Sequence, residues 1–280
     1  MMKKLSVFIA MILFWQNDAL AQIDEAGKEP LWEIGVAGGV LSTPHYMGSD
    51  QRYILPIAAP YFIYRGKFIR ANRRGIKGLL INRKNFSLDL GLGFGLPVNN
   101  NNKAREDMPD LSLTGQIGPQ LNWKFSRSGN LPQVSLHLPI RYVADVQAKK
   151  LGWVTEPSLL VKQNLPVLQN KISLHLRMGG LLAGKSFNKY YYTVADQYAR
   201  QDRPAYVAKS GFHSYFMKLS STYAWSKYLS MGAFIQLRDL SQGVVDDSPL
   251  VTQALDVSLG IGFVWSVRQS VALEGQSLRD

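Results

Sequence analysis

Leu255-Asp256-Val257-Ser258-Leu259-Gly260-Ile261-Gly262-Phe263-Val264-Trp265 decides the fold class of this 280-residue chain. The odd positions carry Leu255, Val257, Leu259, Ile261, Phe263 and Trp265, all large and apolar. The even positions carry Asp256, Ser258, Gly260, Gly262 and Val264, mostly small or polar. In an extended strand successive side chains point to opposite faces, so this period of two gives one apolar face and one small, polar face. A face of six apolar groups that ends in an aromatic suits a strand that faces lipid and finishes at a membrane interface. A strand of a soluble sandwich shares the alternation, so the rest of the chain has to choose between them.

The N-terminus chooses. Lys3 and Lys4 precede an apolar run from Leu5 to Trp15, and Ala19-Leu20-Ala21 follows as a small-x-small cleavage site. This is the pattern of a secretory signal peptide over residues 1–21, too short to serve as a comfortable membrane span. With residues 1–21 removed as signal, we assign 22–265 to a transmembrane β-barrel and 266–280 to a C-terminal extension. The chain contains no cysteine, which excludes disulfides, lipid attachment on cysteine, thiolate metal sites and cysteine nucleophiles. Its +12 charge falls to +11 when Lys3, Lys4 and Asp18 leave with the signal. Inside a cell that excess would point to nucleic acid; for an exported chain, lipopolysaccharide phosphates and murein carboxylates are the accessible anions.

Period-two segments recur from Leu31 onward between turn-rich gaps. Clear strands carry Trp32, Ile34, Val36 and Val40; Phe86 to Leu96; Leu111 to Phe125; Val134 to Tyr142; Trp153 to Val161; Ile172 to Met178; Tyr215 to Leu219; and Leu229 to Leu237. Tyr53 to Tyr64 is apolar on both faces and holds Pro56 and Pro60, and Lys67 to Ile81 is poorly patterned. With Leu255–Trp265 this makes eleven strands, whereas a bacterial barrel has an even number. The missing one falls in Lys67–Ile81 or in Gly184–Ser210. The expectation is an all-β, antiparallel transmembrane barrel of the outer membrane with about 12 strands, ten being the alternative.

Opposite the apolar faces stand Lys124, Arg141, Lys162, Arg177, Lys218 and Arg238 together with Asp89, Asp145, Glu156 and Asp256. Mixed signs inside a small barrel form a paired polar plug, or set ion selectivity if a channel is open. Arg141, Arg177 and Arg238 are the candidate lumen charges. His137 and His175 fall on the inner faces of different strands. His45, Ser49 and Asp50 share one loop, where turn chemistry explains them without catalysis. No phosphate-binding loop, zinc spacing or paired-carboxylate motif is present, so no catalytic residue, cofactor or metal site is assigned, and no enzyme is expected.

The loop motifs carry a family likeness. Tyr46-x-Gly48-Ser49-Asp50 follows the first strand, Pro109-Asp110-Leu111 precedes the fifth, Tyr190-Tyr191-Tyr192 lies in the longest loop, and Asp247-Ser248-Pro249-Leu250-Val251 precedes the last strand. Their order and spacing resemble the MipA/OmpV family of MltA-interacting outer-membrane proteins over Leu31 to Trp265. The resemblance implies a scaffold at the cell envelope that bridges a lytic transglycosylase and a bifunctional penicillin-binding protein; a small pore or a stress-response barrel without a murein partner is the alternative. Ser258-x-Gly260-x-x-Phe263-x-Trp265 also resembles the assembly signal of such barrels. Two departures stand out: Thr193-Val194 where the family often has Gly-Val, and Ser266 to Asp280 beyond the last aromatic. Tyr46, Asp50, Asp247 and Ser248 are the candidate loop contacts for a partner or for lipopolysaccharide. Gly48 and Pro249 fit structural roles at turns.

Overall fold

A computed structural model describes residues 30–271 apart from 66–68, 73–74, 84, 100, 126–131, 168–169 and 227. The proposed signal over 1–21 and most of the 266–280 segment lie outside the described residues. Fourteen strand segments follow one another: β1 (Trp32–Pro44), β2 (Arg52–Arg65), β3 (Ile69–Asn72), β4 (Gly75–Asn82), β5 (Phe86–Gly95), β6 (Thr114–Lys124), β7 (Gln133–Pro139), β8 (Arg141–Asp145), β9 (Lys150–Thr155), β10 (Ser158–Val167), β11 (Asn170–Ala183), β12 (Gly211–Ala224), β13 (Leu229–Asp239) and β14 (Leu255–Gln269). One short helix, α1 (Lys185–Tyr192), interrupts them.

Every pairing is antiparallel, and β1 pairs with β14 from Glu33↔Gln269 to Ser42↔Leu259, so the sheet closes on itself. β7 and β8 pair with successive parts of β6, and β9 and β10 fill the next position, so each couple is one interrupted stave. The barrel therefore has 12 staves. Both interruptions sit against a glycine: a Cβ on Gly118 would collide with Ile140 O, and one on Gly179 with Pro157 O. Backbones can approach this closely only where no side chain intervenes.

The missing strand lies in the poorly patterned region, which holds two short strands, β3 and β4, instead of one. At four and eight residues they are too brief for the alternation to register. Gly184–Ser210 contributes no membrane strand; it forms α1 and an ordered loop. The last strand continues past the expected boundary at Trp265 to Gln269, and Val267 adds another outward apolar side chain.

The deciding stretch behaves as its period demands. Ile261 is 60% exposed and Trp265 54%, while inward-facing Val264 is 2% exposed. Ile34, Val36 and Val40 of β1, Met217 and Leu219 of β12 and Ile235 of β13 extend the outer apolar surface around the ring. Such a surface is stable against hydrocarbon and costly against water. Aromatics mark both rims: Trp123, Phe125, Trp225 and Trp265 at one end, Tyr142, Trp153 and Tyr215 at the other. The ends of β1 and β14, with the short turns, share the first rim, which the rule for these barrels makes periplasmic. Inside, Ala37, Leu41, Ile57, Tyr61, Ile63, Phe234 and Val264 fill the space beside β1, β2, β13 and β14.

Ile261→Arg puts a charge on the lipid face near mid-strand. It should lower folding stability by about 2–4 kcal/mol, whereas Ser258→Thr, on the inner face, should stay near wild type. Urea titration of vesicle-inserted protein, followed by heat-modifiable gel migration, measures both.

Candidate functional site

The long loops fold over the extracellular mouth as a packed cap. Tyr46 from the β1–β2 loop, Val98 and Leu111 from the β5–β6 loop, Phe187, Tyr191 and Tyr192 from α1, Ala208, and Leu240 and Val245 beyond β13 share one buried cluster with Val143, Leu151, Val154 and Leu181 of the wall. In α1, Phe187 and Tyr191 are four residues apart, as are Asn188 and Tyr192, so all four point down from one side of the helix. The Phe187 and Tyr191 rings lie 4.9 Å apart, and Tyr190 meets Tyr191 edge-on at 5.0 Å.

The motif residues hold this cap together. Gly48 has φ +91°, a left-handed turn, and a Cβ there would press on Val251 and Leu240 at 3.1 and 3.2 Å. Its N–H donates to Asp256 Oδ2 of β14 at 2.8 Å, and its carbonyl accepts from Thr252 N at 2.8 Å. Tyr46 Oη donates to Leu250 O at 2.7 Å, and Ser248 Oγ donates to Tyr192 O at 2.8 Å. Tyr46 and Ser248 are only 5% and 2% exposed, so neither can meet an external partner; their polar groups are consumed in joining loops. Asp50 and Asp247 are exposed, although Asp50 also accepts from Thr252 Oγ1 at 3.0 Å. Asp145, expected on the inner face, instead caps the β8–β9 turn by accepting from Gln147 N and Lys149 N. Lys124, also expected inside, is exposed at the periplasmic end of β6.

Beneath the cap lies a cavity of about 290 Å³, into which the three candidate lumen arginines converge. Arg238 Nη2 donates to Glu156 Oε1 at 2.9 Å, and Arg141 Nη1 lies 3.7 Å from Glu156 Oε2. Arg177 Nε donates to Ser158 Oγ at 2.9 Å, and its guanidinium lies 5.6 Å from the Phe216 ring centre. Lys218 Nζ lies 4.2 Å from the Phe234 ring centre. Glu156 and Pro157 form the break between β9 and β10, and this irregular backbone sets the Glu156 carboxylate against Arg141 and Arg238. His137 bonds Ser135 and Gln120 on β7 and β6, while His175 of β11 lines the cavity.

One chain of hydrogen bonds joins cavity to cap. Arg238 Nη1 donates to Ser214 Oγ at 2.9 Å, and Ser214 Oγ lies 3.0 Å from His213 Nδ1. His213 Nε2 lies 2.9 Å from Tyr192 Oη, which donates to Met47 O at 2.9 Å. With Tyr192 Oη already donating, His213 Nε2–H must donate to it, and Nδ1 must accept from Ser214. The network assigns a single tautomer. Neither His213 nor Tyr192 stood out as linked in the sequence, because the strand and the helix that carry them come together only in the closed barrel. Among the described residues no group of carboxylates and histidines could hold a metal ion.

The family model for "MltA-interacting protein MipA" matches residues 36–267, nearly the whole barrel. The chain belongs to that family. No curated protein matches it. Solved structures with a similar course include a bacterial polysaccharide outer membrane secretin, at 9% identity and TM-score 0.42, covering 85% of this chain and 99% of that one. The NanC porin is 9% identical with TM-score 0.38, covering 84% and 100%. OmpT of Vibrio cholerae is 8% identical with TM-score 0.35, covering 88% and 99%. The family likeness and the closed, lipid-facing sheet make this an outer-membrane β-barrel protein.

Burial pushes the cap tyrosines above the usual tyrosine range, Tyr46 and Tyr192 strongly and Tyr191 up to about 12. A phenol whose folded value is raised keeps its full contribution below its unfolded value near 10 and loses it as pH climbs toward the folded value. The contribution of these tyrosines to the cap should therefore stay constant up to about 10 and be lost between about 10 and 12. Tyrosinate absorbance and trypsin cleavage after Lys185, Lys189 and Arg200 follow the change. At neutral pH, Tyr192→Phe removes both bonds of its hydroxyl and should cost about 1–3 kcal/mol of cap stability, read as faster loop cleavage with heat-modifiable migration preserved.

Proposed function

We propose that the protein is exported by removal of residues 1–21 and serves as a non-enzymatic outer-membrane anchor for murein enzymes. Its partners in this reading are those the family resemblance implies, a lytic transglycosylase and a bifunctional penicillin-binding protein; the family's description names MltA as what its members interact with. The observation that carries the reading is the cationic periplasmic rim; the capped side exposes as many Lys and Arg as carboxylates. Every exposed carboxylate among the described residues lies on the capped side, in Asp50, Glu106, Asp107, Asp110, Asp196, Asp202, Asp246 and Asp247. The periplasmic rim exposes Arg83, Lys124 and Arg268 and, among the described residues, no acid. A cationic rim facing the murein space steers toward acidic protein surfaces and murein carboxylates.

The cap argues in the same direction. A mouth roofed by a hydrophobic cluster, above a chamber crossed by Glu156 and its arginines, is poorly suited to ion passage. On the outer side Asp50 and Asp247 are placed to meet lipopolysaccharide through bridging divalent cations. The pore reading rests on the same arginines; conductance decides between them.

Arg83→Glu combined with Arg268→Glu should reduce retention of a purified lytic transglycosylase on immobilised barrel, most strongly at low salt, because exposed charges are screened beyond about 10 Å at 0.1 M ionic strength. Planar bilayers containing the wild type should show no steady unitary conductance. Undiminished retention together with reproducible channels would reverse the assignment.

A further inference from the structure

β11, β12 and β13 set three polar side chains in one row on the inner wall. Arg177 lies directly opposite Lys218 in the β11–β12 ladder, and Lys218 lies directly opposite Gln236 in the β12–β13 ladder. All three line the chamber under the cap. Directly opposite residues hold their Cβ atoms roughly 5 Å apart, and like charges so placed repel. The barrel cannot relieve this by slipping its register, since a shift of one residue would turn the apolar outer faces toward the lumen.

No carboxylate neutralises the pair. Glu156 is engaged by Arg141 and Arg238, and Asp256 accepts from Gly48 N. Arg177 spends its Nε on Ser158 Oγ, and Lys218 meets the face of Phe234; neither forms an ion pair among the described residues. The stretches within residues 30–271 that are not described contain no Asp or Glu, so they hold no carboxylate to take that place. Two further donors stand ready. Arg141 Nε is buried without an acceptor, and the Gln236 amide makes no hydrogen bond among the described residues. Arg141, Arg177, Lys218 and Arg238 thus line the chamber against Glu156 and Asp256, two positive charges in excess. Charge held at membrane depth without a counter-ion marks a ligand site more often than a structural need.

We infer that the chamber binds a phosphate group between Arg177 and Lys218, with the Gln236 amide as a further donor. At neutral pH a phosphomonoester carries about −1.5 to −2 charge and three strong acceptor oxygens. That balances two neighbouring cations, where a single carboxylate would leave one of them unmatched. The Arg177 fork has both terminal nitrogens left for two parallel bonds to such oxygens. A volume of about 290 Å³ leaves room for a small body attached to the phosphate. Inorganic phosphate and a small phosphomonoester share this chemistry, and competition separates them.

The test folds the barrel in a non-ionic detergent and equilibrates it with radiolabelled inorganic phosphate in about 0.1 M chloride, which screens exposed charges beyond about 10 Å. Saturable binding of one phosphate per barrel is expected. Arg177→Gln and Lys218→Gln should each weaken it about tenfold or more, with folding checked by heat-modifiable migration. Lys185→Gln, on the exposed side of α1, should bind as the wild type does. Phosphate should also raise the unfolding temperature of the wild type, because a ligand of the folded state stabilises it by mass action; that rise should vanish in Lys218→Gln. Glycerol 3-phosphate displacing the label at lower concentration than unlabelled phosphate assigns the site to a phosphomonoester, and the reverse order assigns it to the free ion. Absence of saturable binding to the wild type, displacement by acetate as effective as by phosphate, undiminished binding in both folded variants, or an equal thermal rise in Lys218→Gln would each overturn the proposal.

Discussion

A backbone amide inside a bilayer has no water to bond, and leaving it unpaired costs several kcal/mol. Closure of β1 onto β14 meets that demand for the two chain ends of the sheet, and the other features follow from it. Each stave must keep its register with two neighbours, so the outward apolar set cannot slip by one residue without turning to the lumen. The ring also brings residues more than two hundred positions apart into contact, as in Gly48 with Asp256 and Tyr46 with Leu250. Where the ladder breaks, something local accommodates it. Gly118 and Gly179 admit the kinked staves.

A closed ring of this size leaves an interior to be filled, and the chain fills it unevenly. Beside β1, β2, β13 and β14 the filling is apolar, with Tyr61 and Glu33 both bonded to Ser266. Across from it the filling is ionic and centred on Glu156. Buried charge is costly unless paired, and one carboxylate shared by two arginines is economical pairing, with aromatic faces supporting the remaining cations. The hydrogen-bond chain through Ser214, His213 and Tyr192 ties that cluster to the cap, so the positions of α1 and of Arg238 are set together.

The two ends of the molecule consequently differ in kind. The outer end is a folded roof of mixed charge whose motif residues are mostly spent on holding loops to one another. The periplasmic end is a ring of short turns with exposed cations. An anchoring role draws on the periplasmic rim and a ligand chamber on the space below the roof; because these are separate surfaces, one does not exclude the other.

The chain's periodicity determined the class of fold, the lipid-facing side chains and ten of the twelve staves, because a period of two is a local property that pairing preserves. It also placed Arg141, Arg177 and Arg238 opposite the apolar faces, and the loop motifs carried the family likeness. Local pattern could not reveal two short strands within residues 67–81, since neither holds enough alternating positions. It marked Tyr46 and Ser248 as candidate contacts because loop residues are ordinarily exposed; only the packing of four loops into one roof buries them. The meeting of Arg141 and Arg238 at Glu156 and the tautomer of His213 belong to the tertiary structure alone. Each depends on which staves become neighbours around the ring, and that is settled by closure rather than by any segment read by itself.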